Sequence, residues 1–225
     1  MQQEANIFPN LPRGHFAAIV ADPPWHFKSR TALQMQNWNS RRDAEKHYDI
    51  MKLEDIMAMP VRDLAAKDAH LFLWTTGPCL QQAFAVMEAW GFRYSTLAFV
   101  WTKLRKAHDP HQLRVTATID SDFHVGLGLT TRKNAELVLL GRRGSPKRIA
   151  KNVRELIVSP RREHSRKPDE VYVRVERYCT GPYLDLFSRE IRPGWTAWGN
   201  ETNKFASSRS GPMTAPTEPA STTEQ

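Results

Sequence analysis

Cysteine is scarce in this 225-residue chain, with only Cys79 and Cys179 present. Two cysteines cannot make a zinc site unaided, and they fit a reducing cytoplasm. Long hydrophobic runs are missing too. No stretch approaches the roughly 20 apolar residues that a membrane span needs, so a soluble protein is expected. The N-terminal MQQEANIFPNLPRG has no apolar h-region and no arginine-rich amphipathic pattern, so neither secretion nor organelle import is signalled. The expected location is the cytoplasm. Acidic residues are in deficit: 24 Asp and Glu stand against 32 Lys and Arg, a formal charge of +8. Such a balance points to a polyanionic partner, because phosphates attract Lys and Arg and release counterions on binding. A solvated basic face produces the same excess. No internal repeat is visible.

What the sequence does have is core-forming material, 40% hydrophobic with seven tryptophans, enough for one compact domain. We divide the chain into an N-terminal arm (1–14), one domain (15–203) and a Ser/Thr/Pro-rich tail (204–225) expected to be disordered. Phe16–Ala21 reads as a short buried strand stopped by two prolines that cannot continue a ladder. Residues 28–47 are polar and aperiodic, as in a mobile loop. Residues 52–68 read as a helix broken at Pro60, and residues 70–76 as a buried strand. A second helix carries Leu80, Phe84, Met87 and Trp90, opened by Gly77-Pro78 and closed by Gly91. YSTLAFVW, AELVLLG and RELIVS read as strands. The stretch 103–122 between the first two is loop-like, and its His108 and His111 read as surface residues, so no metal site is expected. PDEVYVRVERYCTGP reads as a helix with Pro168 in its first turn, Val171, Val175 and Tyr178 on one face, and Gly181-Pro182 as terminator. YLDLFS and GWTAWGN close the domain as strands. Strands alternating with helices imply an α/β sandwich with a mostly parallel sheet, its ligand sites beyond the carboxyl ends of the strands.

One such end carries Asp22-Pro23-Pro24-Trp25. The amine of adenine is a poor nucleophile because its lone pair is delocalised into the ring, so methylating it requires acceptors for its protons. The Asp22 carboxylate and the Pro23 carbonyl can take the two N–H hydrogens, while the proline rings hold both acceptors rigid. Trp25 can stack on a base drawn out of its helix. No covalent nucleophile is needed for an in-line methyl transfer, since positioning suffices. The competing reading is a plain strand-ending turn with Trp25 as a core aromatic. Pro78-Cys79 is similar to the nucleophile of enzymes that methylate a cytosine ring carbon, but a dipeptide at a helix start is usually structural.

Four separated motifs, ADPPW (21–25), LFLWTTG (71–77), PRREHSRKPDEVY (160–172) and GPYLDLFSREIRPGWTAWGNE (181–201), together resemble one family. It is the adenosine amine methyltransferase family of eukaryotic messenger RNA, often called MT-A-seventy, in particular its bacterial and phage branch. The resemblance implies a Rossmann-like fold with permuted motif order, in which the catalytic turn precedes the cofactor-binding strand. It implies S-adenosylmethionine as cofactor, and a bacterial or phage-infected cytoplasm. It also implies that Asp22, Pro23, Pro24 and Trp25 are catalytic. By the same resemblance Ala21, Lys167, Asp185, Phe187, Arg189, Asn200 and Glu201 hold the cofactor. Lys167 would meet its carboxylate, and Asp185, where the family often has glutamate, its ribose. Asn200 and Glu201 would hold its adenosine end. Tyr48 matches a contact to the target adenosine.

The basic run of residues 142–166, including Lys147, Arg148, Arg161 and Arg162, is a candidate phosphate track between the two halves of the site. Three functions stay open. DNA adenine methylation is favoured through the bacterial and phage resemblance. RNA methylation uses the same pocket once the base is flipped out. A catalytically silent subunit of a methyltransferase complex is the third, and it would have shown a degenerate turn. A homodimer or a partner subunit is compatible with each.

Overall fold

The computed structural model describes residues 7–25, 51–105, 123–124, 126, 131–163 and 166–205. Along it run β1 (Phe16–Ala21), α1 (Leu53–Ala58), α2 (Val61–Leu64), β2 (Ala65–Thr75), a 3-10 turn (Gly77–Cys79), α3 (Leu80–Ala89) and β3 (Arg93–Leu104). After these come β4 (Ala135–Arg143), β5 (Leu156–Pro160), α4 (Glu170–Tyr178), β6 (Tyr183–Leu186) and β7 (Trp195–Trp198). The strands form one seven-stranded sheet in the order β5-β3-β4-β2-β1-β6-β7. It is mixed: β4 runs antiparallel to both β2 and β3, and every other neighbouring pair is parallel. The expected α/β class with a mostly parallel sheet is what the chain adopts.

β1 is a near-continuous apolar run because it is buried on both faces, as internal parallel strands are. Its residues alternate between two cores. Ile19 and Ala21 join Leu71, Leu73, Val86, Met87 and Trp90 beneath α1, α2 and α3. Ala18 and Val20 join Phe72, Trp74, Val138, Val171 and Val175 beneath α4. The period of two along the strand therefore assigns each neighbour to a face. Gly91, with φ +79, ends α3 in a left-handed turn that other residues adopt at a cost.

Two local readings are corrected. Residues 65–68, expected in a helix, begin β2, where Ala65 pairs with Phe16 and Ala69 with Arg143. Pairing on both sides overrides the helix preference of the Ala-Ala-Lys segment. On α3, the buried positions are Ala83, Val86 and Met87, with Trp90 just beyond. Phe84 instead lies on the outer side, 38% exposed, its ring edge-on to Tyr94. On α4, Val171 and Val175 are buried as expected, Tyr172 joins them, and Tyr178 is half-buried. No described helix is long and apolar enough to cross a membrane. The loop of residues 28–47, most of 103–122 and nearly all of the tail lie outside the described residues.

Candidate active site

Because β1 and β6 are parallel neighbours with Ala21 level with Leu186, their exits emerge together at one end of the sheet. The Asp22 amide donates to the Leu186 carbonyl at 3.4 Å. Neither following proline has an N–H to give, so the turn is fixed by other contacts. The Trp25 amide donates to the Pro23 carbonyl at 2.8 Å and the Met51 amide to the Pro24 carbonyl at 3.3 Å. The Trp25 indole N–H donates to the Trp74 carbonyl at 3.0 Å. Asp22 is thereby held between β6 on one side and β2 on the other. The Pro23 carbonyl already accepts one hydrogen bond and keeps a second lone pair. Trp25 is half-buried and packs against the core, and Ala21 is buried completely, so only its main chain borders the turn.

Four charges alternate in a row beside this turn. Lys167, just ahead of α4, places Nζ 3.1 Å from Asp22 Oδ2 and 2.7 Å from Glu136 Oε2, and 4.8 Å from the centre of the Trp74 ring. Glu136, on β4, also receives the ammonium of Lys103 on β3. Burial raises the Asp22 pKa, and the nearby Lys167 ammonium pulls it back only in part. Burial also pushes the Glu136 carboxyl up, but Lys167 and Lys103 together outweigh it and hold the group at about 2. Burial works against the Lys167 ammonium, yet Asp22 and Glu136 raise its pKa above the ordinary lysine value. Glu136 and Lys103 were not among the residues expected at the site. The signal was one acid at the second place of an otherwise apolar strand run, Ala-Glu-Leu-Val-Leu-Leu.

The exit of β6 is built by close approach. Phe187 adopts φ 63, in the left-handed region that non-glycine residues rarely occupy. Ser188 N donates to the Trp198 carbonyl at 2.9 Å. A Cβ on Gly199 would meet Ser188 O at 2.4 Å, so only glycine lets the turn after β7 lie this near. The Phe187 ring stands edge-on to Trp198 at 5.8 Å, and Arg189 Nε is 3.7 Å from Glu201 Oε2. Asn200, next to Glu201 in the turn after β7, is exposed. Asp185 is buried one residue before the strand ends. Its Oδ2 accepts from Tyr172 at 3.1 Å and from Ser188 at 2.8 Å. Burial pushes its carboxyl up to about 7.

The structure thus gathers Asp22, Lys167, Phe187, Arg189, Asn200 and Glu201 at one end of the sheet. The basic run is divided. Arg161 and Arg162 follow β5 at this same end, where Arg161 N donates to the Leu104 carbonyl at 3.0 Å and Arg162 pairs with Asp169 at 2.6 Å. Lys147 and Arg148 follow β4, which runs the other way, so they lie at the opposite end of the sheet. Tyr48 falls outside the described residues.

A family model, MT-A70, matches residues 16–201, from the first residue of β1 to the turn after β7. The chain belongs to the MT-A70 family. Type II methyltransferase M.MunI of Mycoplasma sp is 33% identical over 210 residues, covering 87% of this chain and 81% of that protein. The N(6)-adenosine-methyltransferase MT-A70-like of Arabidopsis thaliana is 29% identical over 194 residues, covering 84% of this chain and 24% of that one. The N(6)-adenosine-methyltransferase catalytic subunit METTL3 of Homo sapiens is 26% identical over 192 residues, covering 84% of this chain and 28% of that one. This chain therefore spans about a quarter of the plant and human members of the MT-A70 family, and most of the bacterial one.

Proposed function

We propose that this chain is an S-adenosylmethionine-dependent methyltransferase acting on the exocyclic amine of adenine in DNA. One observation carries the reading: Asp22, locked between two strands by a turn without free donors, sits at the sheet end with Lys167 on its carboxylate. DNA is favoured over RNA by the likeness to a Type II methyltransferase of nearly matching length. The adenosine methyltransferases named among the relatives keep RNA as the second reading. The intact turn speaks against a silent subunit.

In this mechanism the Asp22 carboxylate and the free lone pair of the Pro23 carbonyl accept the two amine hydrogens, which favours a pyramidal nitrogen with its lone pair exposed. When bound, S-adenosylmethionine supplies the electrophilic methyl group. A carboxyl whose pKa is raised by burial is suited to take the proton the amine sheds as it is alkylated. Lys167, in contact with that carboxylate, favours its ionised form, and Glu136, paired with Lys103, holds Lys167 in place.

The side chains at this sheet end fit the cofactor's chemistry. Lys167 and Arg189 suit a carboxylate, Asn200 and Glu201 suit hydroxyl and amine groups, and Phe187 offers an aromatic surface to a purine. We assign Asp185 to holding the Phe187–Ser188 turn, since Tyr172 and Ser188 occupy its buried carboxylate. The permuted motif order is part of the proposal, supported by β6 lying directly beside β1 although it comes far later in the chain.

The test is transfer of labelled methyl to matched DNA and RNA, with nucleoside mass spectrometry, by wild type and Asp22→Ala. Methyladenine on DNA that disappears in the variant is the expected result. Labelling of RNA alone would replace DNA as substrate, and undiminished transfer by Asp22→Ala would overturn the mechanism.

A further inference from the structure

The far end of the sheet, away from Asp22, gathers positive charge that the catalytic reading leaves unused. Arg142 near the end of β4 is level with Arg93 at the start of β3, and both are exposed. Like charges directly opposite on paired strands are destabilising, so the fold gains nothing from this pair. Lys147 and Arg148 stand in the loop after β4, both exposed. None of these four side chains enters an ion pair among the described residues.

The loop that carries Lys147 and Arg148 is anchored at several points. Gly144, with φ +62, lies so close to β2 that a Cβ there would meet Asp68 Oδ1 at 2.1 Å. The Ser145 amide donates to the same Asp68 oxygen at 2.7 Å. Arg143 donates to the Arg62 carbonyl, and the Ile149 amide to the Tyr178 carbonyl at 2.8 Å. A basic loop tied down at both ends presents its charges in a preset arrangement, which lowers the ordering cost of binding an anion.

Leu139 is level with Leu73, which is level with Ala21. Arg143 stands four residues farther along β4, about 14 Å at the strand rise, in the direction away from Asp22. That displacement corresponds to about four base pairs of duplex.

We propose that Arg93, Arg142, Lys147 and Arg148 form a second contact for the phosphate backbone of duplex nucleic acid, remote from the target base. The proposal rests on the nucleic-acid reading above and adds a two-point footprint to it. The site at the Asp22 end engages the extruded nucleotide, and the far end grips flanking phosphates, with no reading of sequence.

The experiment is binding of a labelled 24-base-pair duplex (about two helical turns) across a salt series, by wild type and by Arg93→Ala/Arg142→Ala/Lys147→Ala/Arg148→Ala. For every phosphate no longer neutralised, the slope of log K against log salt becomes shallower by about 0.9. The expected result is a slope smaller by about 2 to 4 and affinity at least tenfold weaker near 0.15 M salt, where charges beyond about 8 Å are screened. Thermal unfolding is expected to be no lower than in wild type, because the Arg93 and Arg142 repulsion is relieved. Unchanged slope and affinity overturn the proposal, as does a weaker binder that no longer shows a folded transition. Methyl transfer by the wild type is measured separately. A chain that binds duplex in this way yet methylates nothing keeps the second contact and loses the proposed function.

Discussion

The exits of β1 and β6 carry one aspartate each, one strand apart, and treat them differently. Asp22 lies just past the end of its strand, partly open, with an ammonium on its oxygen and a second acid behind that ammonium. Asp185 lies one residue inside its strand, buried, with two hydroxyls in place of a cation. Both pKa values are raised by burial, opposed at Asp22 by the Lys167 ammonium in contact with it and at Asp185 by its two hydroxyl donors and the Arg192 charge. Tyrosine and serine can hold Asp185 whether it is charged or neutral, which suits the supporting role proposed for it. In the proposed mechanism Asp22 is the reactive acid, because its partner is a charge and its surroundings are rigid. The residue type is the same in both places, and the neighbours decide the role.

The largest effect should come from exchanging the two acids for amides. Asp22→Asn keeps the shape and loses the anionic acceptor, so turnover is expected to fall by about 10²- to 10³-fold with cofactor affinity within about threefold of wild type. Asp185→Asn keeps an acceptor for Tyr172 and Ser188 and should cost less than about tenfold in turnover. Equal losses would erase the distinction drawn above, and single-turnover kinetics with cofactor titration decides it.

Next in size is Glu136→Gln. It leaves Lys103 and Lys167 crowded without their shared anion, and removing one partner of a largely buried ion group costs roughly 3 kcal/mol. Denaturant unfolding measures this. Because the folded Glu136 carboxyl is held at about 2, its contribution is present above the ordinary glutamate pKa and is lost as pH falls toward 2. The gap between wild type and Glu136→Gln should therefore close in acid.

A further effect on stability has the opposite sign. With the folded Asp185 carboxyl at about 7, the folded state keeps a proton that the unfolded chain has released between about pH 4 and 7. Stability then declines as pH rises through that window. Asp185→Asn removes this decline, so the Tm of the variant relative to wild type should be higher at pH 8 than at pH 5. A constant difference would show that the carboxyl titrates normally.

Much of this was legible from residue order. A six-residue apolar run halted by Asp-Pro-Pro-Trp reads as a strand that stops at an acid, and Phe16–Ala21 is that strand. Glu170–Tyr178 is the helix its pattern and flanking prolines require. Lys167, Phe187, Arg189, Asn200 and Glu201, picked by resemblance, do lie at the same sheet end as Asp22. These features depend on local rules, namely the fixed φ of proline, the periods of strand and helix, and the order of motifs.

Other features depended on pairing between distant segments. Glu136 came to be shared by Lys103 and Lys167 only because β3 and β4 are adjacent in the sheet, with Glu136 level with Trp101 and Lys103 two residues farther along β3. Asp185 became a buried support because α4 brings Tyr172 across it. The basic run, continuous in sequence, was divided between two ends of the molecule because β4 alone runs against its neighbours. By itself the sequence determined which residues end each strand and which acid stands in a rigid turn. The tertiary structure decided which charge faces which, because electrostatic roles depend on distances and burial that strand order and direction create.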